Sequence, residues 1–342
     1  MKHTKTLFAG LSVLAIGASL VGCSAETGGA GGDTYEVVVL ASSSQNGYNQ
    51  AVYEGVERKA KELSEDLGVT IKTKIQDGQF DANTQLSQLQ NAGTSGGTDG
   101  IIVVPHDGPA LAAAFPLANP KPVAAVLNPI GPEISEMQPQ VDGVVTTVAS
   151  PPANGAKLQA ETVVEYCKDI DPCKIGYLAG LLNSPLDVER VAAWDAVIEK
   201  HKNITVVGTL EGAYDRDKSL TAVSNLLQAN PDLNGILSNA DQQTMGAQIA
   251  LENAGIDPST VFLTGGGGTT EGVQAVRDGK WTNDFLNYPV SMGEAALEQI
   301  MNSILGNEVE VVVDADSLVA VGPIADRAVL DAAPDFTGEW NG

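Results

Sequence analysis

The sequence predicts an α/β protein built as two doubly wound domains with parallel sheets. Short runs rich in β-branched residues alternate with longer amphipathic stretches along most of the chain. Roughly 310 residues follow the N-terminal region, more than one core comfortably holds. The segments that follow the apolar runs collect Gly, Pro and Asn, residues that let backbone amides approach a ligand.

The first apolar run in the folded region is Glu36–Leu40, and Thr70–Ile75, Gly100–Val104, Pro122–Leu127 and Gly143–Val148 continue the series. A second series comprises Lys174–Leu178, Ile204–Leu210, Gly235–Ser238, Val261–Thr264, Asn283–Leu286 and Glu308–Val313. Helical periodicity falls between them, at Tyr48–Leu67, Asp81–Ala92, Asn154–Cys167 and Pro185–His201. It returns at Asp217–Ala229, Gln242–Ala254 and Val290–Leu305. In open parallel sheets ligands bind beyond the carboxyl ends of the strands. The expected binding loops are therefore the stretches after each run, among them SSSQNGYN, DGQFD, PHDGPA, NPIGPE, EGAYDRD, NADQQT and GGGGTT.

The chain opens with a positive start, Lys2 and Lys5, an apolar stretch and small residues, the pattern of an export signal over residues 1–23. Its close, Leu20-Val21-Gly22-Cys23, resembles the lipobox of bacterial lipoproteins, which implies acylation of Cys23 and a lipid anchor outside the cell membrane. Residues 24–33 are Gly-rich and lack hydrophobes, as a flexible tether would, and ten such residues reach roughly 18 Å. The 43 Asp and Glu against 19 Lys and Arg give a net charge of −24, which argues against a nucleic-acid partner. Cys167 and Cys173 form an even pair in an oxidising compartment and read as a structural disulfide, since no histidine lies near enough to suggest zinc. No metal site and no cofactor are expected.

Several motifs that might carry chemistry have simpler readings. Thr264–Thr270, TGGGGTT, lacks the lysine of a phosphate-binding loop and reads as a strand-to-helix turn. Asp81 and Asp107 each precede a helix and read as N-caps, and Asp215 in DRD reads the same way. No G-x-S-x-G elbow, H-E-x-x-H pair or His-supported nucleophile is present, so an enzyme is not expected. Arg190 begins an apolar helix face and is either a surface residue or a guanidinium fork turned into a cleft. Tyr48 and Tyr214 each follow a strand end, where their rings either pack or stack on a sugar face.

From Tyr35 to about Gly322 the order of motifs resembles the periplasmic binding proteins of the ribose and galactose type, the solute receptors of sugar-importing ABC transporters. The stretches that carry the likeness include YEVVVLASSSQNGYNQAVYEG, IQDGQFDANTQLSQLQ, GTDGIIVVPHDGPAL and NPDLNGILSNADQQTMGAQIALENAGI. The resemblance implies two similar lobes joined by three hinge crossings, residues 34–147 with 288–316 and residues 148–287 with 317–342. It also implies a monomer whose partners are a small-molecule ligand and an ABC permease. By the same likeness Asn46, Tyr48 and Asn49 fall on the family's first ligand loop, Asn46 as a donor and Tyr48 as a stacking ring. Arg190, Tyr214 and Asn287 fall on further ligand positions, and Asn128, Asn239, Asp241 and Gly267, which stand at or beside family ligand positions with changed residues, are expected in the site with them.

Departures from the family pattern are as informative. The Asp-Arg pair after the fourth strand becomes Asn128-Pro129, and the family's Asn-Asp becomes Ala240-Asp241, with Asn239 displaced by one. The aspartate of the late Gly-rich turn falls on Gly267 and the Asn before the early proline on Val104. Both carboxylates that grip a sugar ring are thus replaced, which argues against ribose and leaves other sugars, polyols or smaller polar metabolites open. A ligand sensor signalling to a membrane receptor is the alternative role. A LacI-type repressor is excluded by the export signal and the lack of a helix-turn-helix.

Overall fold

A computed structural model describes residues 33–113, 115 and 121–342; Cys23, the export signal and the tether up to residue 32 lie outside the described residues. The first half runs β1 (Thr34–Ala41), α1 (Gly47–Leu67), β2 (Thr70–Asp77), α2 (Ala82–Thr94), β3 (Gly100–Val103), α3 (Gly108–Ala112), β4 (Val123–Val126) and β5 (Val144–Val148). Next come α4 (Pro152–Cys167), β6 (Cys173–Ala179), α5 (Pro185–Ile198), β7 (Ile204–Glu211) and α6 (Arg216–Ala229). They are followed by β8 (Gly235–Ser238), α7 (Asp241–Asn253), β9 (Phe262–Gly265), α8 (Thr270–Arg277) and β10 (Asn283–Phe285). The chain closes with α9 (Pro289–Leu305), β11 (Val312–Val313), β12 (Ile324–Asp326) and α10 (Arg327–Ala332).

Two six-stranded sheets result, ordered β11-β5-β4-β3-β1-β2 and β12-β10-β9-β8-β6-β7. The second order repeats the first strand for strand, so the two lobes share one strand order and differ only in the direction of the edge strand, β11 or β12. Every pairing is parallel except that of β12 with β10. The chain passes between the sheets after β5, after β10 and after β11, three crossings in all. The inner strands are covered on both faces, which is why VVVLA, GIIV and VAAV are uninterrupted apolar runs and not alternating ones.

Helix α9 follows the second crossing yet packs on the first lobe, against α1, β3, β4 and β5. Glycines make its contact with α1 possible. A Cβ on Gly55 would lie 2.0 Å from the Val290 carbonyl oxygen, and one on Gly293 would lie 2.0 Å from that of Val52. The disulfide forms between Cys167, the last residue of α4, and Cys173, the first of β6, with Cα atoms 5.7 Å apart. Asp81, Asp107 and Asp215 cap α2, α3 and α6, accepting from the N–H groups of Thr84, Ala110 and Lys218.

The strand expected over Glu308–Val313 is reduced to Val312–Val313, which pairs with Thr147 and Val148. Upstream, the Glu310 N–H turns to the Gln299 side chain at 2.8 Å and leaves the ladder. The elements β12 and α10 were not anticipated, because each is too short for a period to register, whereas α3 and α8 begin where the Asp107 cap and the Gly-rich turn announce a helix.

Candidate functional site

The loop after β1 is built around its own amides. Asn46 has extended backbone and caps α1, its Oδ1 accepting from the Asn49 N–H at 3.3 Å and from Asn49 Nδ2 at 3.1 Å. Asn49 Oδ1 in turn accepts from the N–H and hydroxyl of Ser42. Asn49 is buried and positions the loop, whereas Asn46 keeps its amide NH2 for the cleft that it lines. Tyr48 lines the same cleft, donates to the Met292 sulfur at 3.3 Å and meets the Trp340 ring edge-on, centroids 5.6 Å apart. Burial raises its phenol above the ordinary range, so it stays neutral.

The loops after β2 and β7 are copies of one device. Asp77-Gly-Gln-Phe80-Asp81 and Glu211-Gly-Ala-Tyr214-Asp215 each place two residues in the left-handed region, with φ of 56° and 52° at Gln79 and Phe80 and of 53° and 56° at Ala213 and Tyr214. Each copy ends on the aspartate that caps the following helix. The two aromatic rings face each other from opposite lobes, 6.2 Å apart and 20° from parallel. Non-glycine residues rarely hold such backbone, and strain of this kind concentrates at ligand clamps.

Behind Tyr214 lies a closed polar network centred on Asp187, which is fully buried in the first turn of α5. Its carboxylate accepts from the Leu181 N–H at 2.6 Å, from Tyr214 Oη at 2.7 Å and from Asn239 Nδ2 at 2.6 Å. Arg190 Nη1 donates to it and to Tyr214 Oη, both at 3.3 Å. The guanidinium therefore points into the cleft, which settles its orientation in favour of the inward alternative. Burial, then the neighbouring carboxylate of Asp187, holds the Tyr214 phenol well above its ordinary range. Gln243 completes the network, accepting from the Tyr214 N–H and donating to Asn239 Oδ1.

Asn239 and Asn287 line the cleft, so Asn46, Tyr48, Asn49, Arg190, Tyr214, Asn239 and Asn287 come together there as expected. Asn128, Asp241 and Gly267 do not. At Asn128 the chain turns through Leu127, whose φ is +74°; Leu127 faces the cleft and Asn128 is buried. Asp241 turns away from the cleft to hold the Gly-rich loop, accepting from the N–H groups of Gly266 at 2.8 Å and Thr269 at 2.7 Å. Gly267 packs against Asp241 and Trp340, and it is Gly266 that lines the cleft.

The lining residues that escaped the sequence reading include Phe80, His106 and Trp340. Phe80 was findable, because the repeated acid-Gly-x-aromatic-Asp pattern pairs it with Tyr214. His106 lines the cleft beside Phe80, and burial lowers its imidazole pKa. Trp340 gave no local signal, lying far from every strand of the parallel series. The lobes touch around the cleft, Ser135 with Glu189 and Ser184 with the His106 carbonyl, around a cavity of about 60 Å³. That is the scale of a small molecule, not of a polymer.

A profile of the family described as "Periplasmic binding protein domain" matches residues 37–308. The chain belongs to this family. It is 25% identical over 274 residues to the ribose import binding protein of Salmonella typhimurium, covering 80% of this chain and 86% of that one. A D-apiose import binding protein of Actinobacillus succinogenes is 27% identical over 223 residues, 64% of this chain and 66% of that one. Among solved structures, a Caulobacter myo-inositol binding protein bound to myo-inositol superposes with a TM-score of 0.70 at 23% identity, covering 87% and 95% of the two chains. An Agrobacterium vitis ABC transporter solute binding protein with bound D-fucose gives 0.73 at 19% identity, covering 86% and 97%. These relatives of the periplasmic binding protein family are substrate-binding transport proteins and not enzymes. Among the described residues no helix is long and apolar enough to cross a membrane, and no cluster of side chains forms a metal site.

Proposed function

We propose that the protein is the extracytoplasmic binding component of an ABC import system, closing on a sugar or sugar-like polar small molecule and handing it to the permease. The observation that carries this reading is the cleft itself. Loops at the carboxyl ends of both sheets bring Tyr48, Phe80 and Tyr214, with the Arg190 fork, around one small cavity. Rigid rings suit the apolar face of a sugar, and Arg190, Asn46 and Asn287 offer hydrogen bonds to its oxygens. The relatives named for ribose and apiose import favour the same class.

Closure would rotate residues 34–147 with 288–316 against residues 148–287 with 317–342 about the three crossings. Acylation at Cys23 would hold this monomer to the membrane by its tether. Among the described residues no carboxylate lines this cavity: Asp187 is enclosed by its four donors, Asp241 serves the Gly-rich loop, and Asp316 lines an adjoining cavity instead. The preferred ligand is therefore one recognised through ring faces and acceptor oxygens more than through chelated hydroxyl pairs.

Thermal melting with D-ribose, D-allose, D-fucose, D-apiose and myo-inositol tests the proposal. A ligand at a hundred times its Kd stabilises the folded state by about 2.7 kcal/mol, enough to move the melting temperature by several degrees. A shift with an amino acid or nucleoside and with no sugar or polyol would reject the sugar reading.

A further inference from the structure

The last residues of the chain return to the cleft. They lie beyond residues 37–308, the stretch that matches the family. Backbone contacts fasten them along the Gly-rich loop: the Thr270 N–H donates to the Trp340 carbonyl at 2.8 Å, and Thr269 bridges Trp340 in parallel. The Gly342 N–H donates to Glu271 at 3.0 Å. Trp340 is thereby turned inward, 5% exposed, with its indole N–H on the Gly267 carbonyl at 2.8 Å. Every one of these anchors belongs to the second lobe.

The same segment also reaches the first lobe. Trp340 meets Tyr48 edge-on, and the Glu339 carboxylate accepts from both the N–H and the hydroxyl of Ser291 in the first turn of α9. Helix α9 has no side-chain cap of its own. The first N–H groups of a helix lack intrahelical partners and attract negative charge. Glu339 supplies that charge from 48 residues away in sequence. The tail thus adds a side-chain connection between the lobes to the three crossings made by backbone. Trp340 separates the cleft from an outer groove lined by Gly47, Gln50 and Glu54.

We infer that Gly338–Gly342 is a working part of the cleft, in which Trp340 forms one wall of the ligand site and Glu339 latches the closed form onto α9. The inference rests on the reading of the protein as a binding protein that closes on a small molecule. A wall that shuts the cleft from a groove slows escape of the ligand. A latch that pairs only when the lobes meet favours the closed form.

Calorimetry with D-ribose, D-allose and myo-inositol, on wild type, Trp340→Ala, Trp340→Phe and Glu339→Ala, tests this. Whichever probe binds the wild type should bind Trp340→Ala and Glu339→Ala about tenfold more weakly, while Trp340→Phe keeps most of the affinity. Unchanged affinity in Trp340→Ala and Glu339→Ala overturns the inference. If none of the three binds the wild type, hydrogen exchange on the ligand-free chain decides the latch, independently of the sugar reading. Glu339→Ala should then accelerate exchange at the Ser291 amide while amides of α4 keep their protection; equal exchange at Ser291 in the two proteins overturns it.

Discussion

Asp187 determines what Arg190 can do. A buried guanidinium needs a compensating charge, and the carboxylate that provides it also orders Tyr214 and Asn239. Asp187→Ala should lower stability in urea denaturation by about 3 kcal/mol, since it strands a buried cation and three donors. Tyr48→Ala and Arg190→Ala should each weaken ligand binding, measured by calorimetry, by more than ~1 kcal/mol; Tyr48→Ala should do so with little loss of fold, whereas Arg190→Ala should also lower stability, because it leaves the Asp187 carboxylate buried without its counter-charge. Much of the site was legible at this scale because strand-end loops announce themselves by composition. What was not legible was direction. Asn128 and Gly267 miss the cleft by one residue, since a left-handed Leu127 and a tight glycine turn decide which neighbour faces in. Asp241 was misread because a buried carboxylate that caps a loop has the same sequence appearance as one that meets a ligand.

Among the elements, the contact of α1 with α9 is the most sensitive to substitution. Replacing a mid-helix glycine by alanine ordinarily gains about 0.5–1 kcal/mol through backbone entropy. Here the sign reverses, because the added Cβ of Gly55→Ala would meet a backbone oxygen that has no rotamer to move. We expect Gly55→Ala to lose about 2 kcal/mol or more in denaturant titration, and Gly293→Ala to behave alike. The long helices and central strands were readable from period and composition. Their glycines were not readable as packing devices, because nothing local distinguishes a contact glycine from a tolerated one. Elements of three to six residues, such as β12 and α10, take their form from neighbours and leave no periodic trace.

For the whole molecule, the buried pair Asp241 and Asp284 imposes a pH dependence on the second lobe. Burial, and then the adjacent Asp241, raises the Asp284 carboxyl well above its ordinary value of 3.8. The folded state therefore keeps a proton that the unfolded chain releases. That contribution to stability is complete below 3.8 and is lost as pH rises through the folded value. Asp284→Asn removes the titration while retaining an oxygen acceptor for one of the two N–H groups, of Gly267 and Gly268, that the carboxylate serves. Denaturation from about pH 4 to pH 8 should show the wild type losing stability relative to Asp284→Asn as pH rises; a constant difference would refute the assignment. Two-lobe architecture was the most legible feature of all, since strand count, length and alternation each demand it. The return of the tail to the cleft was the least legible, because it depends on contacts between parts of the chain far apart in sequence.

The glycine contact between α1 and α9 also has a mechanical meaning. The Asn46–Asn49 loop that lines the cleft sits at the head of α1, and the second crossing enters directly into the head of α9. Locked backbone to backbone, the two helices form a single bearing on which both are mounted. At the second crossing only the three residues between Phe285 and Pro289 separate β10 from this bearing, so a rotation of the second lobe would bend the chain there, as it would at the crossings after β5 and β11.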